Sequence, residues 1–353
     1  MIDLSELLKT AAGLRASDVF LKEGVSPSFR VNGSISATDY PVLSADDVKK
    51  IAYSVLTPEQ IGTFEAQNEL DLAFTIEGVT RVRANFYRQR NSMGVVLRLI
   101  PLQVLSLQQL CMPTVVADMS QNKQGLILVT GPTGSGKSTT LAAIIDLINA
   151  SKPCNIISIE DPIEFVHEDK MAIVSQREIG ADTKSFNEGL KYIVRQSPDV
   201  ILIGEMRDTE TMQVVLQAAE TGHLVLSTLH TSSAAETVER IINMFPPHEK
   251  EHMCMRLAAS LKGVVSQKLI PMADGNGRIA AVEIMVVTPT IAKLIEDGHF
   301  GQQLSIAISE GEFWGMQTIN QSLVKFVKKG WITEEQACIN AGNLTELKQM
   351  LRR

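Results

Sequence analysis

At roughly 150 residues per domain, a chain of 353 residues has room for two to three domains, which excludes a single small module. With 44% apolar and 21% charged residues, it has the composition of a folded globular protein rather than a disordered tail or a fibre. Asp plus Glu number 40 against 33 Lys plus Arg, a formal charge of −7, which counts against a protein that lives on polyanionic nucleic acid, so no nucleic-acid partner is expected.

The chain opens Met1-Ile2-Asp3-Leu4-Ser5-Glu6, with acids where a secretory leader carries lysines, and no signal peptide is expected. Ser5 to Leu14 reads as a helix and Val19 to Leu21 as extended. Ser28 to Ile35 carries Asn32-Gly33, a two-residue hairpin signal, because both central positions need positive φ. Ser44 with Asp47 three residues on, and Thr57-Pro58 with Gln60, are two helix starts of the capping-box kind. Leu70, Leu72, Phe74 and Ile76 then alternate with polar or small residues, as do Val82, Ala84 and Phe86, which predicts strands and an α+β domain over residues 1–100.

The uncharged stretch from Leu99 to Ala117 is broken by Pro101 and Pro113, so it reads as a connector, not a spanning helix, and a cytoplasmic protein is expected. The connector is assigned to residues 101–122. Beyond it the texture becomes strand, glycine turn, helix and strand again, an α/β core over 123–288. Its strand candidates are Leu126–Thr130, Asn155–Ile159, Val200–Ile203, Leu224–Thr228, Val264–Leu269 and Ile279–Met285. Met244-Phe245-Pro246-Pro247 reads as a helix stop, and residues 289–353 as mainly helical, with pieces such as Gln317–Lys329 and Glu334–Asn340. Cys111, Cys154, Cys254 and Cys338 lie far apart without a Cys-x-x-Cys pair, which predicts ordinary thiols.

Chemistry concentrates at Gly131-Pro132-Thr133-Gly134-Ser135-Gly136-Lys137-Ser138, followed by Thr139, which fits G-x-x-x-x-G-K-[ST] between an apolar strand and a helix. Glycines let backbone N–H groups close on phosphates, Lys137 reaches the β and γ phosphates, and Ser138 offers its hydroxyl to Mg²⁺; ATP and Mg are the expected cofactors. Asp199-Val200-Ile201-Leu202-Ile203-Gly204-Glu205 is a buried strand with an acid at each end. Ligands in such sheets bind beyond the carboxyl ends of strands, so Glu205 faces the nucleotide and Asp199 has a structural task. Glu160, Asp161 and Glu164 add acids to that rim, a set that suits Mg²⁺ if they converge and is otherwise a solvated loop. Thr221 to Thr231 is a strand with a histidine at each end, of which only His230 is at the nucleotide rim; His223 is at the other end. His248, His252 and His299 lack ligand spacing, so no transition-metal site is expected.

The phosphate loop, Ile157–Val166, Asp199–Asp208 and Thr221–Thr231 resemble, in order and spacing, the Walker A, Asp box, Walker B and His box of the secretion ATPases. The resemblance covers nearly the whole chain and implies a PAS-like amino-terminal domain joined to a RecA-like ATPase domain with a helical carboxyl-terminal region. It also implies a homo-hexameric, ATP-hydrolysing motor. The absence of an extra amino-terminal domain and of a four-cysteine zinc motif points to the type IV pilus retraction (PilT-like) branch, which powers twitching motility. Ser175–Gly180, Asp182–Phe186, Arg195–Asp199 and Gly315–Thr318 also look like that branch.

By the same resemblance Glu205 is the catalytic carboxylate, Glu164 lies near metal and water, and Arg83 and Arg98 reach the nucleotide from the amino-terminal domain. Independently of the resemblance, a histidine placed at the rim as His230 is can sense the γ phosphate through a hydrogen bond. Implied partners are an inner-membrane pilus platform protein, with location at the pilus base, and a paralogous retraction ATPase. The sequence departs from the branch at Thr290-Ile291-Ala292-Lys293-Leu294-Ile295-Glu296-Asp297, where a signature with two arginines is usual. This leaves open the accessory (PilU-like) paralogue, an assembly or type II secretion ATPase, and a non-hydrolysing nucleotide-binding subunit.

Overall fold

The computed structural model describes residues 2–14, 16–31, 33–100 and 104–352. The chain divides into two units, Met1–Gln103 and Val104–Arg353.

In the first unit, helices α1 (Leu4–Gly13), α2 (Ala45–Tyr53) and α3 (Pro58–Gln67) accompany strands β1 (Asp18–Lys22), β2 (Ser28–Val31), β3 (Ser34–Ala37), β4 (Glu69–Ile76), β5 (Thr80–Gln89) and β6 (Ser92–Ile100). Both expected capping boxes form: Ser44 with Asp47 opens α2, and Thr57 with Gln60 opens α3, whose first residue is Pro58. β2 and β3 pair up to Val31↔Ser34 around the expected two-residue turn; Gly33 takes φ +86°, and Asn32 lies outside the described residues. The sheet order is β3-β2-β1-β6-β5-β4, antiparallel throughout. One face buries Val19, Val82, Ala84, Phe86, Val95 and Leu97 with Leu7, Leu8, Val48 and Phe64 of the helices. This is the expected PAS-like α+β arrangement. The central strand β6 was not among the expected strands, because Met93-Gly94-Val95-Val96-Leu97 is an unbroken apolar run without period-two alternation.

Period-two register also places a polar row on the other face. Arg30 of β2, Asp18 of β1, Arg98 of β6 and Arg83 of β5 are successive cross-strand partners. The buried Asp18 carboxylate accepts from Arg30 Nε and Arg98 Nε, each at 3.1 Å, and from the Ser17 hydroxyl at 2.8 Å.

The second unit contains α4 (Thr114–Ser120), β7 (Gly125–Thr130), α5 (Lys137–Ser151), β8 (Asn155–Glu160), β9 (Ile173–Glu178), α6 (Phe186–Ile193), β10 (Val200–Ile203), α7 (Thr209–Glu220), β11 (Leu224–Leu229), α8 (Ala234–Asn243), α9 (Lys250–Ser260), β12 (Leu261–Pro271) and β13 (Arg278–Val286). Its sheet runs β13-β12-β7-β11-β10-β8-β9, parallel except for β12 against β13. Strands β7, β10 and β11 are buried at every position, as expected for central strands covered on both faces. The remainder is helical: α10 (Pro289–Glu296), α11 (Gln302–Glu310), a 3-10 turn at Glu312–Trp314, α12 (Ile319–Lys328), α13 (Glu334–Asn340) and α14 (Leu344–Leu351).

Three expectations need correction. The edge strand β9 was not expected, its half-exposed Ile-Val-Ser-Gln-Arg-Glu carrying too few apolar residues to stand out. The helix expected from Gln317 starts at Ile319, capped by Thr318, because Gln317 instead bridges Ile284 of β13. The connector holds helix α4, buried through Val116 and Met119 in the second unit, while its first residues 101–103 lie outside the described residues. The four cysteines are free thiols. Among the described residues no helix is long and apolar enough to cross a membrane.

Candidate nucleotide site

The phosphate loop leaves the carboxyl end of β7 and enters α5. Gly131, Gly134 and Gly136 take φ of +144°, +77° and +88°, in or near the region that side chains avoid. At Gly131 the need is also steric: a β-carbon would stand 2.4 Å from the Gln267 carbonyl oxygen and 2.6 Å from Ser135 Oγ. Pro132, Thr133 and Gly134 form the exposed tip, Ser135 is buried, and Gly136, Lys137, Ser138 and Thr139 are half-buried at the helix start. Lys137 Nζ donates to the carbonyls of Gly131 at 2.8 Å and Pro132 at 3.2 Å. Burial pushes the Lys137 ammonium below its ordinary range, against the fields of Glu205 and Glu164, which favour the charged form.

Glu205 stands two residues past β10, where β11 fixes the backbone: Thr228 Oγ1 donates to the Gly204 carbonyl at 2.6 Å and Ser227 Oγ to that of Ile203 at 2.9 Å. Its carboxylate is clasped on both oxygens, by His230 Nε2 on Oε1 at 3.1 Å and by Arg207 Nε on Oε2 at 2.8 Å. His230 follows β11 directly. His223, at the opposite end of that strand, places Nδ1 2.9 Å from the Ala218 carbonyl, and Asp199 accepts from the Asn155 backbone N–H at 2.8 Å; both lie on the far rim.

The three acids of the Asp box do not converge. Glu160 turns inward, accepting from Ser158 Oγ at 2.6 Å and Gln176 Nε2 at 3.0 Å, and burial pushes its carboxyl above the usual carboxylate range. Asp161 and Glu164 are exposed on the loop that follows. That loop is tied to β9: Gln176 Nε2 donates to the Phe165 carbonyl at 2.8 Å, Gln176 Oε1 accepts from His167 N–H at 2.8 Å, and Glu178 accepts from Ile163 N–H at 3.3 Å. Among the described residues no group of three or more His, Cys, Asp or Glu is arranged to hold a metal. Mg²⁺ in phosphate sites normally keeps waters and takes one or two protein ligands beside the phosphates. A hydroxyl at Ser138 and the carboxylates of Glu205 and Glu164, whose fields both reach Lys137, suit that ion, and among the described residues a three-acid cage does not form.

Reasoning from sequence alone passed over Arg207, Gln176, Thr228 and Gln267. For Gln267 a signal existed: Ser266-Gln267 follows the apolar pair Val264-Val265 inside a strand, and in the structure both side chains are 1% exposed. Arg83 and Arg98 face each other across β5 and β6 in the first unit, both exposed.

A family model described as type II/IV secretion system protein matches residues 2–339. The chain belongs to that family. Within the family it is 46% identical over 336 residues to the type IV pilus retraction ATPase PilT of Pseudomonas aeruginosa, covering 95% of this chain and 97% of that protein. The type IV pilus ATPase PilU of the same organism is 38% identical over 351 residues, 99% of this chain and 92% of its own. A crystal structure of the pilus retraction motor PilT with bound ADP superposes with a TM-score of 0.92 at 42% identity, covering 99% of this chain and 100% of that one. The fold of this secretion ATPase family member is thus the expected one: an amino-terminal α+β unit, a RecA-like ATPase unit and a helical carboxyl-terminal region.

Proposed function

We propose that this chain is a hexameric, ATP-hydrolysing motor that powers type IV pilus retraction from the cytoplasmic side of the inner membrane. The observation that carries the reading is the meeting, at one sheet rim, of a complete phosphate loop with a clasped carboxylate, Glu205, on a scaffold similar over its whole length to a retraction ATPase.

In this reading the loop from Gly131 to Thr139 holds the phosphates, Lys137 exchanges loop carbonyls for phosphate oxygens, and Ser138 and Glu164 hold Mg²⁺. Glu205 orients and deprotonates the attacking water, with His230 reporting the γ phosphate. Arg83 and Arg98 serve a neighbouring subunit's nucleotide. The hinge lies in Pro101–Gln124, and ATP-dependent contact of one subunit with its neighbour's arginines supplies the difference that shifts conformation. A pilus platform protein is the membrane partner.

One observation favours a second reading, the accessory paralogue. On α10 the branch's usual arginines are replaced, and Lys293 is engaged by Glu296 at 3.3 Å and Asp297 at 2.9 Å, so that surface is not a free basic one. Counting surface pili after gene deletion, with wild-type and Glu205→Gln copies returned in parallel, tests both. Excess pili reversed only by the wild-type copy supports the retraction motor; an unchanged count with weakened pulling supports the accessory paralogue; bald cells overturn retraction.

A further inference from the structure

Strand β12 lies beside the strand that feeds the phosphate loop and sends two fully buried polar side chains toward it. Ser266 Oγ is 2.7 Å from Thr130 Oγ1, and Gln267 spans the loop itself. Its Nε2 donates to the Ser135 carbonyl at 2.7 Å, and its Oε1 accepts from Thr140 Oγ1 on α5 at 2.9 Å. The amide has one sensible orientation here, since a carbonyl cannot donate and must meet the NH₂ end. The Gln267 backbone also bounds the start of the loop, because its carbonyl oxygen is what a β-carbon at Gly131 would strike. Both ends of the loop therefore rest on one residue more than a hundred positions downstream.

The Ser135 side chain takes no part in this tie. Its buried Oγ has no hydrogen-bond partner, so the backbone carbonyl carries the anchorage. In a trans peptide the C=O and the following N–H point in opposite directions. Drawing the Ser135 carbonyl onto β12 therefore turns the Gly136 N–H away from β12, and Gly136 accepts this turn with its φ of +88°. Backbone N–H groups at this place in such loops are what grip phosphate.

We propose that Gln267 is a positioning residue of the phosphate site, whose side-chain amide sets the Ser135–Gly136 peptide and with it the strength of the phosphate grip. The proposal rests on the nucleotide-binding reading above. It predicts a loss confined to the phosphate-dependent part of affinity, since nothing in this tie bears on the base or ribose.

The test is fluorescence titration of the full-length protein with ADP and, by displacement, with adenosine. Gln267→Glu keeps an acceptor for Thr140 but turns an oxygen on the Ser135 carbonyl, and Gln267→Met removes both bonds at similar volume. Each should lower the ratio of ADP to adenosine affinity at least tenfold. Thr140→Val, which leaves Gln267 in place but frees its amide, should lower it about threefold and serves the same purpose should either Gln267 variant fail to fold. An unchanged ratio in a folded variant, or equal weakening of both ligands, overturns the proposal. Failure of the wild-type protein to bind ADP overturns the nucleotide reading and this proposal together; wild-type binding with unaffected variants overturns the proposal alone.

Discussion

His230 Nε2 and Glu205 Oε1 meet at 3.1 Å across two adjacent parallel strands, joining the ends of β10 and β11 at the rim where the phosphate loop begins. Arg207 takes the other carboxylate oxygen, so the side chain is held from both sides. Glu205→Gln removes the charge proposed to act as base and leaves one acceptor oxygen, so its NH₂ meets either Arg207 or His230. Glu205→Gln should keep nucleotide affinity and lose turnover by about 10²–10⁴-fold, the usual worth of a positioned general base. Lys137→Ala should instead lose affinity, and paired binding and steady-state assays separate the two.

His230→Ala leaves Glu205 with Arg207 alone. The expected loss in turnover is smaller, about tenfold for roughly 1.4 kcal/mol of orientation. His223→Ala, on the far rim, should leave turnover unchanged. A comparable kinetic loss at both positions would show that the histidines act through folding.

The glycines of the loop should differ in their tolerance. Gly134 has positive φ but open space around a β-carbon, whereas Gly131 meets backbone at 2.4 Å. Gly134→Ala should cost about 1 kcal/mol of stability, the usual penalty of a left-handed dihedral. Gly131→Ala should cost more, on the order of 3 kcal/mol with shifted backbone, and weaken ADP. Urea denaturation and ADP titration of both variants check the order.

His167 supplies a pH signature. Burial lowers its pKa from 6.5 to about 4, against the Asp146 carboxylate, while Lys170 acts in the same direction as burial. Between those values the unfolded chain binds more protons than the folded one, so stability falls as pH falls through the window. A tenfold difference in proton affinity between the folded and unfolded chain corresponds to about 1.4 kcal/mol. The buried carboxyls of Glu160 and Glu283, both raised, contribute with the opposite sign below their folded pKa values. His167→Leu should therefore lose less stability than wild type between pH 6.5 and 5, read as the difference of two denaturation series. Identical slopes would remove His167 from the account.

Arg83→Ala and Arg98→Ala should lower turnover by on the order of 10³ while sparing ADP affinity, the pattern of arginines that act on charge developing in the reaction. Asp18→Asn, which loosens Arg98 and Arg30 without removing them, should fall between these variants and wild type. Full turnover in both alanine variants would assign these arginines to the surface alone.

Much of this was legible in the sequence because local chemistry decided it. Ser44/Asp47 and Thr57/Gln60 specify their helix starts without tertiary help, and the loop Gly131–Ser138 needs only a strand before it and a helix after. Strands β6 and β9 were hidden for opposite reasons, one because its run Met93–Leu97 shows no alternation of apolar and polar residues and the other because it lies half-exposed at a sheet edge. The inward turn of Glu160 was not legible, because Gln176, its partner, comes from a strand whose pairing only the fold creates. Arg207 and Gln267 belong with it: contacts across the sheet decide what those side chains do.

The polar row Arg30–Asp18–Arg98–Arg83 draws its members from four strands, and no loop places any of them. Strand pairing has a unit step, and a slip of one residue between β5 and β6 would turn Arg98 inward and Leu97 outward. The cost of burying a guanidinium on the face that holds Val82 and Ala84 forbids that slip. The greasy face of the sheet therefore acts as a ruler for the charged one, checking the spacing of the arginines before any ligand is present. Truncating Phe86 or Leu97 should blur where those charges stand, though both side chains are buried on the opposite face.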